Sequence, residues 1–337
     1  MKIKQILVPL RVVQGARAVI RKAALIARNT GARIEIFHAI DEPLLVDFSR
    51  REPYGAALQR RGDEVVNTWQ KRLDKLLSDP ALQGLRVTAT AAWDYPPHEA
   101  VIRRVNTIGA DLVVATTQSH HPGARLFLAN TDWELIRQCP TPVLLVKSQR
   151  MYEHPTIIAA VDPLHANAKP AALDLNILQT ASSLARVLEG EAHAFHAYMP
   201  LVAIAPMSVS QPLAFNLPPE AEETHGTQVK QAFEALARKA QLPSQRQHLH
   251  RGDVPTQLRD AIRKLSAGIV VMGAVSRSGL RRVFIGSTAE RLLDQLTCDV
   301  LIVKPASFRS AVRGKTPGAP KKTSRTSRKK GKARSAG

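Results

Sequence analysis

Val114-Ala115-Thr116-Thr117-Gln118-Ser119 opens a stretch that runs to Lys147, and the chain repeats it from Val271-Met272-Gly273-Ala274-Val275-Ser276 to Lys304. The two stretches align without a gap at a constant offset of 157, the step from Val114 to Val271. Ser119 meets Ser276, Arg125 meets Arg282, Phe127 meets Phe284, Thr131 meets Thr288 and Leu135 meets Leu292. The ends agree as well, with Val143-Leu144-Leu145-Val146-Lys147 against Val300-Leu301-Ile302-Val303-Lys304. Upstream, Phe37-His38-Ala39 returns as Phe195-His196-Ala197, one residue out of step, as a short insertion would leave it. Such a repeat makes the chain two copies of one fold. The boundary falls near 149–155.

Within each copy short apolar runs alternate with amphipathic stretches. The pattern predicts strands at 6–10, 34–39, 87–92, 112–115 and 143–146 in the first copy, and at 157–161, 193–197, 246–250, 269–272 and 300–303 in the second. Val65, Val66, Trp69, Leu73, Leu76 and Leu77 recur near a period of 3.6, which predicts a helix between the second and third strands. Near-continuous apolar strands alternating with helices form a parallel sheet covered on both faces. The expected architecture is α/β: two tandem Rossmann-like domains, 1–148 and 155–305, each a five-stranded parallel sheet. Such sheets bind ligands at the carboxyl ends of their strands, near the switch point in strand order.

Composition bounds the function. The 337 residues carry 44% hydrophobic and 23% charged side chains, ordinary for globular domains. No apolar run reaches the ~18 residues a membrane helix needs, and the start has no secretory pattern, so a cytoplasmic protein without a membrane partner is expected. Two cysteines, Cys139 and Cys298, are too few for a disulfide framework. Of the net charge of +20, residues 306–337 hold 11 cations and no acid, which leaves +9 for the body. This Ser, Pro, Gly and Lys/Arg segment has little to bury, so a disordered basic tail is expected over 306–337. Such an arm could neutralise phosphates and bind nucleic acid without sequence preference, or remain a solvated tail.

The richest segment follows the fourth strand of the second copy. Gly273 and Gly286 allow a ligand close to the backbone, while Ser287 and Thr288 could add donors at a helix start. Ser287-Thr288-Ala289-Glu290 is equally a capping box, as is Thr131-Asp132-Trp133-Glu134 in the first copy. His38 and His196 stand at strand ends without a second ligand at metal spacing and read as packed histidines. Adjacent His120 and His121 point apart in extended chain. Both cysteines read as inert packing groups. Walker, nucleophile-elbow and His-Glu-x-x-His patterns are missing, so the residues give no positive evidence for hydrolysis, and a weak ATPase would have only Asp162 to serve as base or metal-holding acid.

Gly273-x2-Ser276-x9-Gly286-Ser287 resembles the phosphate loop of the universal stress protein family, whose ATP-binding members carry Gly-x2-Gly-x9-Gly-Ser/Thr between the fourth strand and the last helix. The spacing is intact and the second glycine is a serine. Ala267-Gly268-Ile269-Val270-Val271-Met272-Gly273, Gly286-Ser287-Thr288-Ala289-Glu290 and Cys298-Asp299-Val300-Leu301-Ile302-Val303-Lys304-Pro305 look like the tandem, E-type branch found in bacteria, as does Asp132-Trp133. The resemblance implies an adenine nucleotide α-hydrolase-like fold, a non-enzymatic stress-response role, and ATP with Mg as the ligand. Carried over by position, it implies that Asp162 approaches the nucleoside, the backbone of Ala197 meets adenine, and Gly273, Ser276, Gly286, Ser287 and Thr288 hold phosphates. The first copy has Arg11, Thr116, Ser119, Ala129, Asn130 and Thr131 at the matching positions, with every motif glycine gone. It is expected to be structural, and the two domains to pair as a pseudo-dimer. The alternative is an interaction or scaffold protein that binds nucleic acid through its tail with neither domain liganded.

Overall fold

The computed structural model describes residues 1–13, 15–41, 55–117, 130–164, 172–201, 218–274, 292–293 and 295–312. The first half contains β1 (Gln5–Pro9), α1 (Arg17–Thr30), β2 (Arg33–Ile40), α2 (Gly55–Leu76), β3 (Val87–Trp93), α3 (Pro97–Ile108), β4 (Leu112–Thr116), α4 (Asn130–Gln138) and β5 (Val143–Val146). The second contains β6 (Thr156–Ala160), α5 (Ala172–Val187), β7 (Glu191–Tyr198), α6 (Pro219–Lys239), β8 (Gln247–Arg251), α7 (Val254–Lys264), β9 (Ile269–Gly273) and β10 (Asp299–Val303). All ten strands anticipated from the apolar runs are present, with ends shifted by a residue or two. Leu77, expected on the helical stripe, falls just past α2 and is exposed.

Strands run in the order β3-β2-β1-β4-β5 in the first half and β8-β7-β6-β9-β10 in the second, the same topology twice. Within each half every pairing is parallel. The halves then join edge to edge, because β5 and β10 pair antiparallel with Leu144 opposite Leu301. These two leucines are equivalent in the repeat, so a pseudo-twofold passes between them. The result is one ten-stranded mixed sheet rather than two separate parallel ones. An all-apolar edge strand invites pairing with another edge, and here each domain covers the other's.

Two hydrophobic layers run across both halves. One face packs α1 and α5 through Val19, Ile20, Ile26, Ile177, Leu178 and Leu184. The other packs α3, α4 and α7 through Ile102, Ile136 and Leu258. Helix ends follow local chemistry: α1 stops where Gly31, at φ 71°, bonds its N–H back to Ala27. Asp253 caps α7 by accepting from the Thr256 N–H at 3.1 Å.

The repeat also shapes the junction. Lys147 Nζ donates to the Leu293 carbonyl, and its equivalent Lys304 Nζ donates to the Ile136 carbonyl, itself the equivalent of Leu293. Lys304 of the second half thus caps the end of α4 in the first, an arrangement suited to the negative end of a helix, and Lys147 makes the matching buried contact in the other direction. Burial pushes Lys304 down to about 8.

Two expectations are corrected. The basic tail does not leave the body at 306: Phe308 packs on the core beside the Lys304 ammonium, and Val312 is buried. Those two apolar residues give the segment something to bury. Residues 313–337, which hold the remaining tail cations, lie outside the described residues. Nor is Thr131 the residue before a helix, since α4 already includes Asn130 and Thr131. Glu134 turns down the helix to Arg137 and Gln138 instead of back toward a cap. Among the described residues no helix is long and apolar enough to cross a membrane.

Candidate functional site

In the second half, β6 lies between β9 and β7, so their carboxyl ends sit side by side at the switch point. Asp162 follows β6 by two residues, Ala197 is the penultimate residue of β7, and Gly273 ends β9. The fold therefore brings together three of the seven residues expected at a nucleotide site. The other four, Ser276, Gly286, Ser287 and Thr288, lie outside the described residues.

Asp162 is held by its backbone, whose N–H donates to Asp174 Oδ1 at 3.1 Å. Its own Oδ2 is buried and finds no hydrogen-bond partner among the described residues. A buried carboxylate oxygen is expensive to leave unmatched, which marks this atom as facing something. Ala197 is 4% exposed, with its backbone paired to β8 opposite His250.

Gly273 has a bland explanation. A Cβ there would come within 2.8 Å of Leu173 Cδ2 and 3.0 Å of Ile177 Cδ1, both on α5. Glycine lets this helix lie close against the end of β9. The motif glycine is explained by packing before any phosphate is considered.

The paired histidines are structural. His38 Nδ1–H donates to the Leu10 carbonyl at 2.8 Å, and His196 Nδ1–H donates to the Val161 carbonyl at 2.9 Å. Each ties the end of a half's second strand to the residue after its first. His38 also stacks on Trp69 with centroids 3.7 Å apart. Burial raises Cys139 to about 11 and Cys298 to about 12, so neither offers a thiolate near neutral pH. Among the described residues no three His, Cys, Asp or Glu side chains are placed to hold a metal.

One histidine pair escaped the sequence reading, because its members are neighbours only across strands. His193 Nδ1 and His248 Nε2 lie 2.9 Å apart, with Glu191 Oε2 3.5 Å from His193 Nε2. Burial lowers the pKa of both rings, with Arg246 also opposing charge on His193 and His250 opposing it on His248. A second proton on the pair would set two N–H donors head to head. The sign follows: a folded pKa below the unfolded ~6.5 means the unfolded chain binds more protons, so stability is full above that value and falls with pH beneath it. His38 and His98, also lowered by burial, act in the same direction. The melting temperature should fall between pH 7 and 5, and less steeply in His248→Gln. Equal slopes in the two proteins would remove the pair from this account.

The model of the universal stress protein family matches residues 2–147 and again 156–304. Universal stress protein E of Photorhabdus laumondii is 27% identical over 303 residues, covering 89% of this chain and 94% of the relative. Universal stress protein E of Escherichia coli K12 is 30% identical over 230 residues, 68% of this chain and 72% of the relative. A functionally unknown protein of Pseudomonas aeruginosa has a crystal structure that matches with a TM-score of 0.65 at 25% identity, over 90% of this chain and 93% of that one. A universal stress protein of Archaeoglobus fulgidus shares the fold at 13% identity, with a TM-score of 0.58 over 90% of this chain and 99% of that one.

Proposed function

The chain belongs to the universal stress protein family, and from that premise we propose that it is a non-enzymatic, cytoplasmic stress-response factor whose second half takes an adenine nucleotide. The observation that carries the ligand is Asp162 Oδ2, buried beside the switch point without a partner among the described residues. A ribose hydroxyl is the kind of donor such an oxygen lacks. The backbone of Ala197, on the neighbouring strand, would meet the adenine edge. The phosphates, with magnesium, would fall to the segment that includes Ser276, Gly286, Ser287 and Thr288. Bound nucleotide supplies no reaction in this reading; it sets the state of a binding module.

Calorimetric titration of the full chain with Mg-ATP tests the proposal. Wild type should bind one nucleotide. Asp162→Ala should weaken binding at least tenfold, because a hydrogen bond to a charged group contributes about 1.5–3 kcal/mol. Gly286→Val should abolish it, whereas Ala129→Val, at the matching place in the first half, should leave it unchanged. Wild type that takes up no ATP, or equal losses from Gly286→Val and Ala129→Val, would overturn the reading.

A further inference from the structure

The switch point of the first half is built differently from that of the second. A cavity of about 370 Å³ opens there, between the carboxyl ends of β1, β2 and β4 and the first turns of α3 and α4. Its origin is a change of helix start. Val19, Ile20, Ala23, Ile26 and Ala27 of α1 are buried in the same register as Ile177, Leu178, Ala181, Leu184 and Ala185 of α5. Counting back along that register, Leu173 falls at Gly15. In the second half α5 carries Leu173 over the end of β9, against Gly273. In the first half α1 begins later, Gly15 has no side chain to bring, and the space above Thr116 stays open.

The walls and the mouth differ in character. Phe37, Val101 and Leu135 line the cavity and are almost fully buried, which gives a mixed cavity one apolar side. Arg11 stands exposed at the mouth, at the position where the second half has Asp162. The charge is reversed. Arg11 has an interaction of its own, and its guanidinium carries five N–H donors in a planar fork that suits an anionic group. Asp132 also lines the cavity, yet it is 5% exposed and already engaged. Thr117 lines it too; it is 7% exposed, and its buried hydroxyl has no partner among the described residues.

We propose that this cavity is a second ligand site, which takes a small organic anion with an apolar body. The body lies on Phe37, Val101 and Leu135, and the anionic group meets Arg11. A volume of this size is within the range of small-molecule sites, and the apolar side of Phe37, Val101 and Leu135 gives an organic body contacts that a bare inorganic ion cannot make. An anion at Arg11 is the opposite of what Asp162 would accept, so the two halves would sense different molecules.

Fluorescence titration of the full chain with 8-anilinonaphthalene-1-sulfonate tests this, with neutral N-phenyl-1-naphthylamine as the uncharged comparator. The sulfonate should bind one per chain, and at least tenfold more weakly in Arg11→Glu, whose exposed position spares the fold. Thr116→Leu, which fills the cavity, should abolish binding of both probes. The neutral probe should bind Arg11→Glu and wild type alike, and Asp162→Ala should change neither probe. Unaltered sulfonate affinity in Arg11→Glu would overturn the proposal. Displacement of the probe by ATP would overturn the assigned ligand class.

Discussion

Asp299→Ala is expected to cost about 3–5 kcal/mol, the range for removing one partner of a buried ion pair. Asp299 and Lys22 are both 0% exposed, with Lys22 Nζ 2.5 Å from Asp299 Oδ2. Tyr152 Oη also donates to that oxygen, at 2.5 Å. The backbone N–H groups of Lys147 and Ser148 donate to Oδ1, each at 2.9 Å. One carboxylate therefore anchors α1 of the first half, the start of β10, and the segment that connects the halves. Alanine would leave the buried ammonium with the Ser148 carbonyl and the face of the Tyr152 ring but no counter-charge among the described residues, and would orphan two backbone donors. Against a total stability of roughly 5–15 kcal/mol, that loss is large.

The rescue pattern distinguishes charge from hydrogen bonding. Lys22→Met combined with Asp299→Leu removes both charges but still strands the two backbone N–H groups. Lys22→Met with Asp299→Asn removes the charges and keeps an acceptor for them. Denaturant midpoints should therefore rank the asparagine double variant above the leucine one, and both above Asp299→Ala. If the leucine variant matched the asparagine variant, the backbone donors would not matter and this account of the junction would fail.

That network also marks where sequence reading stops. The ungapped match from Val114–Lys147 to Val271–Lys304 made the doubled fold legible, because strands and helices answer to local periodicity. Lys147 and Lys304 were visible as a repeated pair, but their exchange across the junction depends on β5 meeting β10, which no local pattern encodes. Asp299 is harder still. In the repeat it stands opposite Pro142, and Lys22 opposite Thr180, so the ion pair breaks the symmetry that organised the reading. It exists once because the connecting segment exists once. At the candidate sites, position-by-position transfer placed Asp162, Ala197 and Gly273 at adjoining strand ends. The same transfer passed over the first half because it looked for glycines in a phosphate loop. What opens the cavity is a glycine elsewhere, Gly15, and a helix that starts late.

Gly190→Ala should be almost as damaging as the loss of Asp299, at about 3 kcal/mol, the upper end of overpacking costs. Gly190 lies between α5 and β7, where a Cβ would come 2.1 Å from the Pro155 carbonyl oxygen and 2.8 Å from the Pro155 nitrogen. These are backbone atoms, so no rotamer change relieves the clash. Pro155 cannot retreat easily either: its carbonyl accepts from the Glu191 N–H at 3.1 Å, and it closes the connecting segment that Tyr152 pins to Asp299. The repeat supplies the control. In the first half the same backbone bond runs from Arg33 N–H to the Lys4 carbonyl at 2.9 Å, but the residue before the strand is Ala32, buried at 2% exposure. That half has room for the methyl group. Ala32→Gly should cost only about 1 kcal/mol, through a lost methyl contact and a more flexible unfolded chain. Chemical denaturation of the two single variants reads the difference directly. Near-equal losses would mean that the second half relaxes around Pro155 as readily as the first accommodates alanine, and the rigidity assigned to the connecting segment would be wrong.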